Sequence, residues 1–232
     1  MRPETVAPSG LYALTPDWDD TARLLAATEP ILQAGCRWLQ YRHKTAPAAL
    51  RLAQARALRA LTRRYGAHLI INDDVRLALA VGADGAHLGR DDGDLAAARM
   101  ALGPSRVLGA SCYQNLQLAH RAVAAGADYV AFGSVFPSTT KPQAAHAPLA
   151  LIGQARRELP VAVVAIGGIT LDNAAAVLAA GAHALAVIGA VYTARDPGAA
   201  AAGLLALCGH GAAAADRMTP SSTNAPLSPV QP

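Results

Sequence analysis

The sequence carries little charge. Asp, Glu, Lys and Arg make up 16% of its 232 residues, against 53% hydrophobic. That balance excludes a largely disordered chain and supplies a sizeable core. Cysteine is scarce. Cys36, Cys112 and Cys208 stand apart without C-x-x-C spacing, which argues against a disulfide framework or a zinc site. The seven histidines are scattered, with no H-x-x-x-H pair. His68 and His87 sit in apolar strand settings that suit core or turn positions better than ligands. Long apolar runs are missing too. Ala174–Val191 comes nearest to a membrane span, but Gly181, His183 and Gly189 break it. Met1-Arg-Pro-Glu4 has no apolar signal core, so a cytoplasmic protein is expected.

Basic clusters are equally few. The net charge is +4 and the pI about 9.2. Only Arg63-Arg64 and Arg156-Arg157 are adjacent, and both pairs suit helix C-termini. Small phosphorylated ligands fit this balance, and neither a nucleic acid nor a membrane partner is expected. Lysine is almost excluded: of 20 basic residues only Lys44 and Lys141 are lysine. Each follows an expected strand. A compact ammonium meets a phosphate as a point charge, which gives these two exceptions a chemical use.

What is present is alternation. Short apolar strands are expected at Leu11–Leu14, Trp38–Arg42, Leu69–Ile71, Ala86–Leu88, Val107–Ser111, Tyr129–Phe132, Val161–Ile166 and Ala184–Ile188. Helical spacing fills the intervals. The last helix is expected over about Gly198–Leu207. Gly35, Gly66, Gly82, Gly126 and Gly181 each stand where a helix must stop before a strand. Eight such units point to a single α/β domain, a (β/α)₈ barrel over 11–208. A loose lead-in at 1–10 and a disordered Ala/Pro/Ser tail at 209–232 flank it. An open doubly wound sheet is the competing architecture, and it usually carries a G-x-G-x-x-G turn that is absent here.

Such barrels build their sites at the C-terminal ends of the strands. The exits carry Gln40, Arg42 and Lys44 on one face of strand two, then Asn72 and Asp73, Asp92, and Ser111. Next come Ser138-Thr139-Thr140-Lys141, Gly167-Gly168 and Ile188-Gly189. Parallel neighbours bring Asp73 and Asp92 to one edge, where two carboxylates suit Mg²⁺. The same residues also suit a plain helix cap and a solvated turn. Paired glycines after strand seven suit a phosphate cradle, or an ordinary tight turn. No Ser–His–Asp or Cys–His set is visible. Departure of a diphosphate needs mainly charge stabilisation, not a nucleophile.

At these residues the sequence resembles the thiamine phosphate synthase family. The matching motifs are Gln40-Tyr-Arg-His-Lys44, Ile71-Asn-Asp-Asp74, Gly82-Ala-Asp-Gly-Ala-His-Leu-Gly89 with Asp92, Gly109-Ala-Ser111, Gly126-Ala-Asp-Tyr-Val-Ala-Phe-Gly133, Pro137-Ser-Thr-Thr-Lys141 and Ile166-Gly-Gly-Ile-Thr170. They run in family order over about residues 10–207. The resemblance implies an enzyme, a transferase joining an aminopyrimidinylmethyl diphosphate to a thiazole phosphate with release of pyrophosphate. It implies Mg²⁺ on Asp73 and Asp92. It places the pyrimidine diphosphate on Gln40, Tyr41, Arg42, His43, Lys44, Asn72, Ser111 and Lys141, with Arg42, Lys44, Ser111 and Lys141 serving catalysis. It places the thiazole phosphate on Ser138, Thr139, Thr140, Gly168, Ile188 and Gly189. The sequence departs from the family pattern at His43, where an acid is more usual, at Arg90 for a glutamine and at Gly189 for a serine. Three other readings stay open: a thiazole tautomerase, a sugar-phosphate or indole-type barrel enzyme, and a non-enzymatic sensor of thiamine precursors. The oligomeric state stays open too.

Overall fold

A computed structural model describes residues 6–137 and 146–215. The described chain alternates strand and helix. The strands are β1 (Gly10–Leu14), β2 (Trp38–Tyr41), β3 (His68–Asn72), β4 (Gly85–Leu88), β5 (Val107–Tyr113), β6 (Tyr129–Phe132), β7 (Ala162–Ile166) and β8 (Ala184–Val187). The helices are α1 (Thr21–Gln33), α2 (Ala48–Arg64), α3 (Val75–Ala80), α4 (Leu95–Leu102), α5 (Leu116–Ala124), α6 (Leu149–Glu158), α7 (Ala174–Ala179), α8 (Gly189–Tyr192) and α9 (Pro197–Ala215). The strands pair in chain order, all parallel, and β8 closes on β1. The expected (β/α)₈ barrel is therefore observed.

Two cores follow from strand alternation. One face of each strand packs against the helices, where Leu39, Leu69, Ile71, Leu108, Val130 and Val163 join Leu24, Leu58 and Ile152. The other face fills the barrel itself. Tyr12, Leu14, Trp38, Ile70, Val107, Tyr129 and Val164 occupy it, and they are large enough to leave a packed interior, not a pore.

The bottom of the barrel repeats one device. The Asp84 amide donates to the Leu69 carbonyl, and its carboxylate accepts from the Leu69 amide at 2.7 Å. Asp128 does the same with Leu108, and His183 with Val163 through Nδ1. The Gly-Ala-Asp and Gly-Ala-His rhythm thus ties each new strand to the preceding one.

Two features differ from the sequence expectation. The exit after β8 is not a bare turn, because Gly189 begins the short helix α8. Its four residues are too few to show a helical period. The final helix also runs past Leu207 to Ala215. Alanine-rich chain favours helix without any apolar stripe, so periodicity underestimates its length. Residues 216–232 of the expected tail lie outside the described residues. Among the described residues no helix is long and apolar enough to cross a membrane.

Candidate active site

The β3–α3 junction divides labour between adjacent aspartates. Asp74 is the N-cap of α3, its carboxylate accepting from the Leu77 amide at 2.8 Å. Asp73 is freed from capping. It adopts a left-handed backbone, with φ of 62°, and its amide donates to the His87 carbonyl. A non-glycine residue held there marks a strained, determined position. The same division recurs after β4. Asp94 caps α4, while Asp92 stays in the preceding turn and accepts from the Gly89 amide at 2.9 Å.

The barrel then brings the freed pair together. The Asp73 carboxyl meets that of Asp92, and Lys44 Nζ lies 3.3 Å from Asp73 Oδ2. Burial raises the Asp73 pKa first, the Asp92 contact adds to that, and the Lys44 ammonium pulls back. Three strand exits, β2, β3 and β4, therefore share one charged point. A pocket of about 260 Å³ opens there, lined by Tyr41, His43, Lys44, Arg51, Asn72, Asp73 and Asp92 among others.

The β2 exit is held by the loop after β1. Arg42 donates through one terminal nitrogen to both oxygens of Asp17 at 2.9 Å. The Lys44 amide also donates to Asp17, and the Thr15 hydroxyl bridges the Arg42 backbone. His43 is buried. Its Nδ1 accepts from the Ala46 amide, which leaves Nε2 to donate to Asp19 at 3.0 Å. Tyr41 turns the other way and donates its hydroxyl to Gln54 on α2. Asp17 is not singled out by sequence, and Asp19 only as an alternative to Asp20 for the cap of α1. The acidic run before α1 reads as capping, and only Asp20 caps, accepting from the Arg23 amide.

Inside the barrel mouth lies a chain of polar side chains. Gln40 Nε2 donates to the Tyr12 hydroxyl at 2.9 Å. Tyr12 meets Tyr129 at 2.9 Å, Tyr129 meets His87 Nδ1 at 2.9 Å, and His87 Nε2 meets Ser111 Oγ at 2.8 Å. Gln40 and Ser111 were expected at the site. The sequence does not single out Tyr12 or Tyr129, and it expects His87 at a core or turn position. It is buried, but it is also hydrogen-bonded at both nitrogens. Strand alternation was the available signal, since it turns His87 and Tyr129 inward with Tyr12.

Across the mouth, Gly167 and Gly168 take φ of 99° and 67°. A Cβ on Gly168 would strike the backbone of Phe136 and Pro137, and one on Gly167 would strike Ser134. Glycine is thus required where the β7 exit presses on the β6 exit. Ile188 occupies the N-cap position of α8 and Gly189 its first turn. Ser138, Thr139, Thr140 and Lys141 lie outside the described residues.

Known proteins match this arrangement. The family model described as thiamine monophosphate synthase covers residues 11–191. The thiamine-phosphate synthase of Methylobacillus flagellatus is 59% identical over 187 residues, covering 81% of this chain and 89% of that protein. That of Aromatoleum aromaticum is 59% identical over 193 residues, covering 83% and 93%. The solved thiamine phosphate pyrophosphorylase of Pyrococcus furiosus superposes with a TM-score of 0.78 at 36% identity, covering 87% of this chain and 96% of that one. With the barrel, the Asp73–Asp92 pair and the β7 glycine turn in place, these matches show that the chain belongs to the thiamine monophosphate synthase family.

Proposed function

We propose that this enzyme joins an aminopyrimidinylmethyl diphosphate to a thiazole phosphate, giving thiamine phosphate and pyrophosphate. The observation that carries the reading is the meeting of Lys44, Asp73 and Asp92 at one pocket.

The pair suits a divalent cation. Two adjoining carboxylates, one raised in pKa by burial and by the other, gain most from a shared counter-ion. The donors are hard oxygens and only two in number, as Mg²⁺ beside a phosphorylated substrate prefers. Bound there, Mg²⁺ would neutralise charge on the departing diphosphate.

The chain's own residues do the rest. Lys44 supplies a point charge beside the pair, with its ammonium half exposed. Arg42 is held by Asp17 through one nitrogen, and a guanidinium has five donors, so others are left for a diphosphate oxygen. The carbon–oxygen bond to diphosphate breaks with its electron pair leaving on pyrophosphate. The electron-rich aminopyrimidine spreads the positive charge of the methylene carbon. The thiazole nitrogen then donates its lone pair and forms the new carbon–nitrogen bond. Gln40 and Ser111 would hold the pyrimidine, with Asn72 and His43 at the pocket wall. The Gly167-Gly168 turn and the Gly189 backbone would hold the thiazole phosphate. Lys141 and Ser138 to Thr140 keep the roles their motif implies. Phosphorylated ligands do not cross membranes unaided, which supports a cytoplasmic place of work.

Pyrophosphate release tests the reading. Release from the intact protein should need both substrates and Mg²⁺, and should collapse in Asp73→Ala. Tight binding of either ligand by folded protein without release would move weight to a tautomerase or a sensor.

A further inference from the structure

The interior polar chain has a direction. Gln40 donates an N–H to the Tyr12 oxygen. The Tyr12 proton then has one neighbour to serve, the Tyr129 oxygen. Tyr129 has accepted one proton and must pass its own to His87 Nδ1. That nitrogen is an acceptor, so the ring proton sits on Nε2 and is given to Ser111 Oγ. Ser111 has now accepted, and its own hydroxyl proton is left to donate.

We infer that Tyr12, Tyr129 and His87 are positioning residues: a one-way hydrogen-bond relay that holds His87 as the Nε2–H tautomer and turns Ser111 into a fixed donor toward a pyrimidine ring nitrogen. This rests on the proposed reaction for its substrate. At the other end Gln40 gives an N–H to Tyr12 and keeps its amide oxygen as an acceptor. A donor and an acceptor are what an aminopyrimidine asks for, since its ring nitrogens accept and its exocyclic amine donates.

Three observations support the relay as a built feature. Every member except Ser111 is buried. A buried chain of this kind is costly unless each polar atom is satisfied, and each link here is 2.8 or 2.9 Å. Gly109 on β5 has no side chain where Tyr129 lies, and a Cβ there would run into the phenol ring.

The test uses the full chain labelled with ¹⁵N-histidine, with His87→Asn to identify the signal. At neutral pH and without ligand, His87 should show a protonated Nε2 and a bare Nδ1. The opposite tautomer, or an imidazolium, would overturn the relay. Tyr129→Phe should remove this bias. Tyr12→Phe, which leaves Tyr129 in place, is the second variant should the first not fold. In either variant, binding of the aminopyrimidinylmethyl diphosphate alone should weaken about fivefold, as for one lost hydrogen bond, while the KM for the thiazole phosphate stays put. Unchanged pyrimidine binding in a variant that has lost the tautomer bias would also overturn it. The tautomer is read on free protein, so it stands or falls apart from turnover. Absence of pyrophosphate release by the wild type would count against the reaction and not against the relay.

Discussion

At the scale of single residues, two glycines at the β7 and β8 exits make opposite predictions. Gly168 sits at φ of 67° with backbone of Phe136 and Pro137 where a Cβ would go. Gly168→Ala should therefore cost roughly 1–3 kcal/mol of stability, read from denaturant midpoints, because neither the dihedral nor the facing backbone can give cheaply. Gly189 has an ordinary dihedral, and a Cβ there would meet only Thr193 Oγ1 at 3.7 Å. A side chain fits. The family resemblance implies a serine where this chain has Gly189. Gly189→Ser should fold normally and lower the KM for thiazole phosphate about fivefold, the worth of one recovered hydrogen bond of ~1 kcal/mol. An unchanged KM would mean that the α8 start does not meet the phosphate.

At the scale of elements, the proposed reaction makes the β3–α3 junction separate stability from chemistry in two consecutive residues. Asp74 closes the first turn of α3 on the Leu77 amide. Asp74→Ala should lose about 1 kcal/mol of stability and leave pyrophosphate release largely intact. Asp73 does the reverse. Its raised pKa means that folding penalises its ionised form, chiefly by burial and then by Asp92. Asp73→Asn keeps a residue that tolerates the left-handed backbone and removes the like charge, so stability at neutral pH should hold or rise. Mg²⁺-dependent release should nevertheless fall steeply. Thermal unfolding and turnover measured on both variants settle the division. Equal loss of stability in the two would refute it. From sequence, Asp73 is expected to pair with Asp92, but capping of α3 by Asp73 or Asp74 stays an equal reading. They part only once the helix start is known to within a residue, and boundaries are what periodicity reads least well.

At the scale of the whole molecule, what was legible was whatever is local. Alternating apolar runs and their glycine stops placed all eight strands, and the strand exits placed Lys44, Asp73, Asp92 and Ser111 on one rim. The relay was not legible in this way. Tyr12 and Tyr129 stand 117 residues apart, and only the closed barrel's register brings them within 2.9 Å. The same long-range closure makes the protein acid-sensitive. His87 titrates near 6.5 when unfolded and at about 4 when folded, because burial disfavours the imidazolium. His183, whose Nδ1 accepts from the Val163 amide, is lowered as well, by burial and then by Arg156. Between those two His87 values the unfolded chain binds more protons than the folded one, so stability rises with pH across that window. It is complete above 6.5 and is lost as pH falls toward 4. The His87 share is on the order of 3 kcal/mol, the worth of lowering its pKa from 6.5 to about 4. Urea midpoints taken from neutral pH down to about 5 should decline through the histidine range, with Asp73, whose pKa burial raises, working in the opposite sense at the acid end. A profile flat above pH 5 would mean that His87 is not held neutral inside the barrel, and the direction of the relay would fall with it.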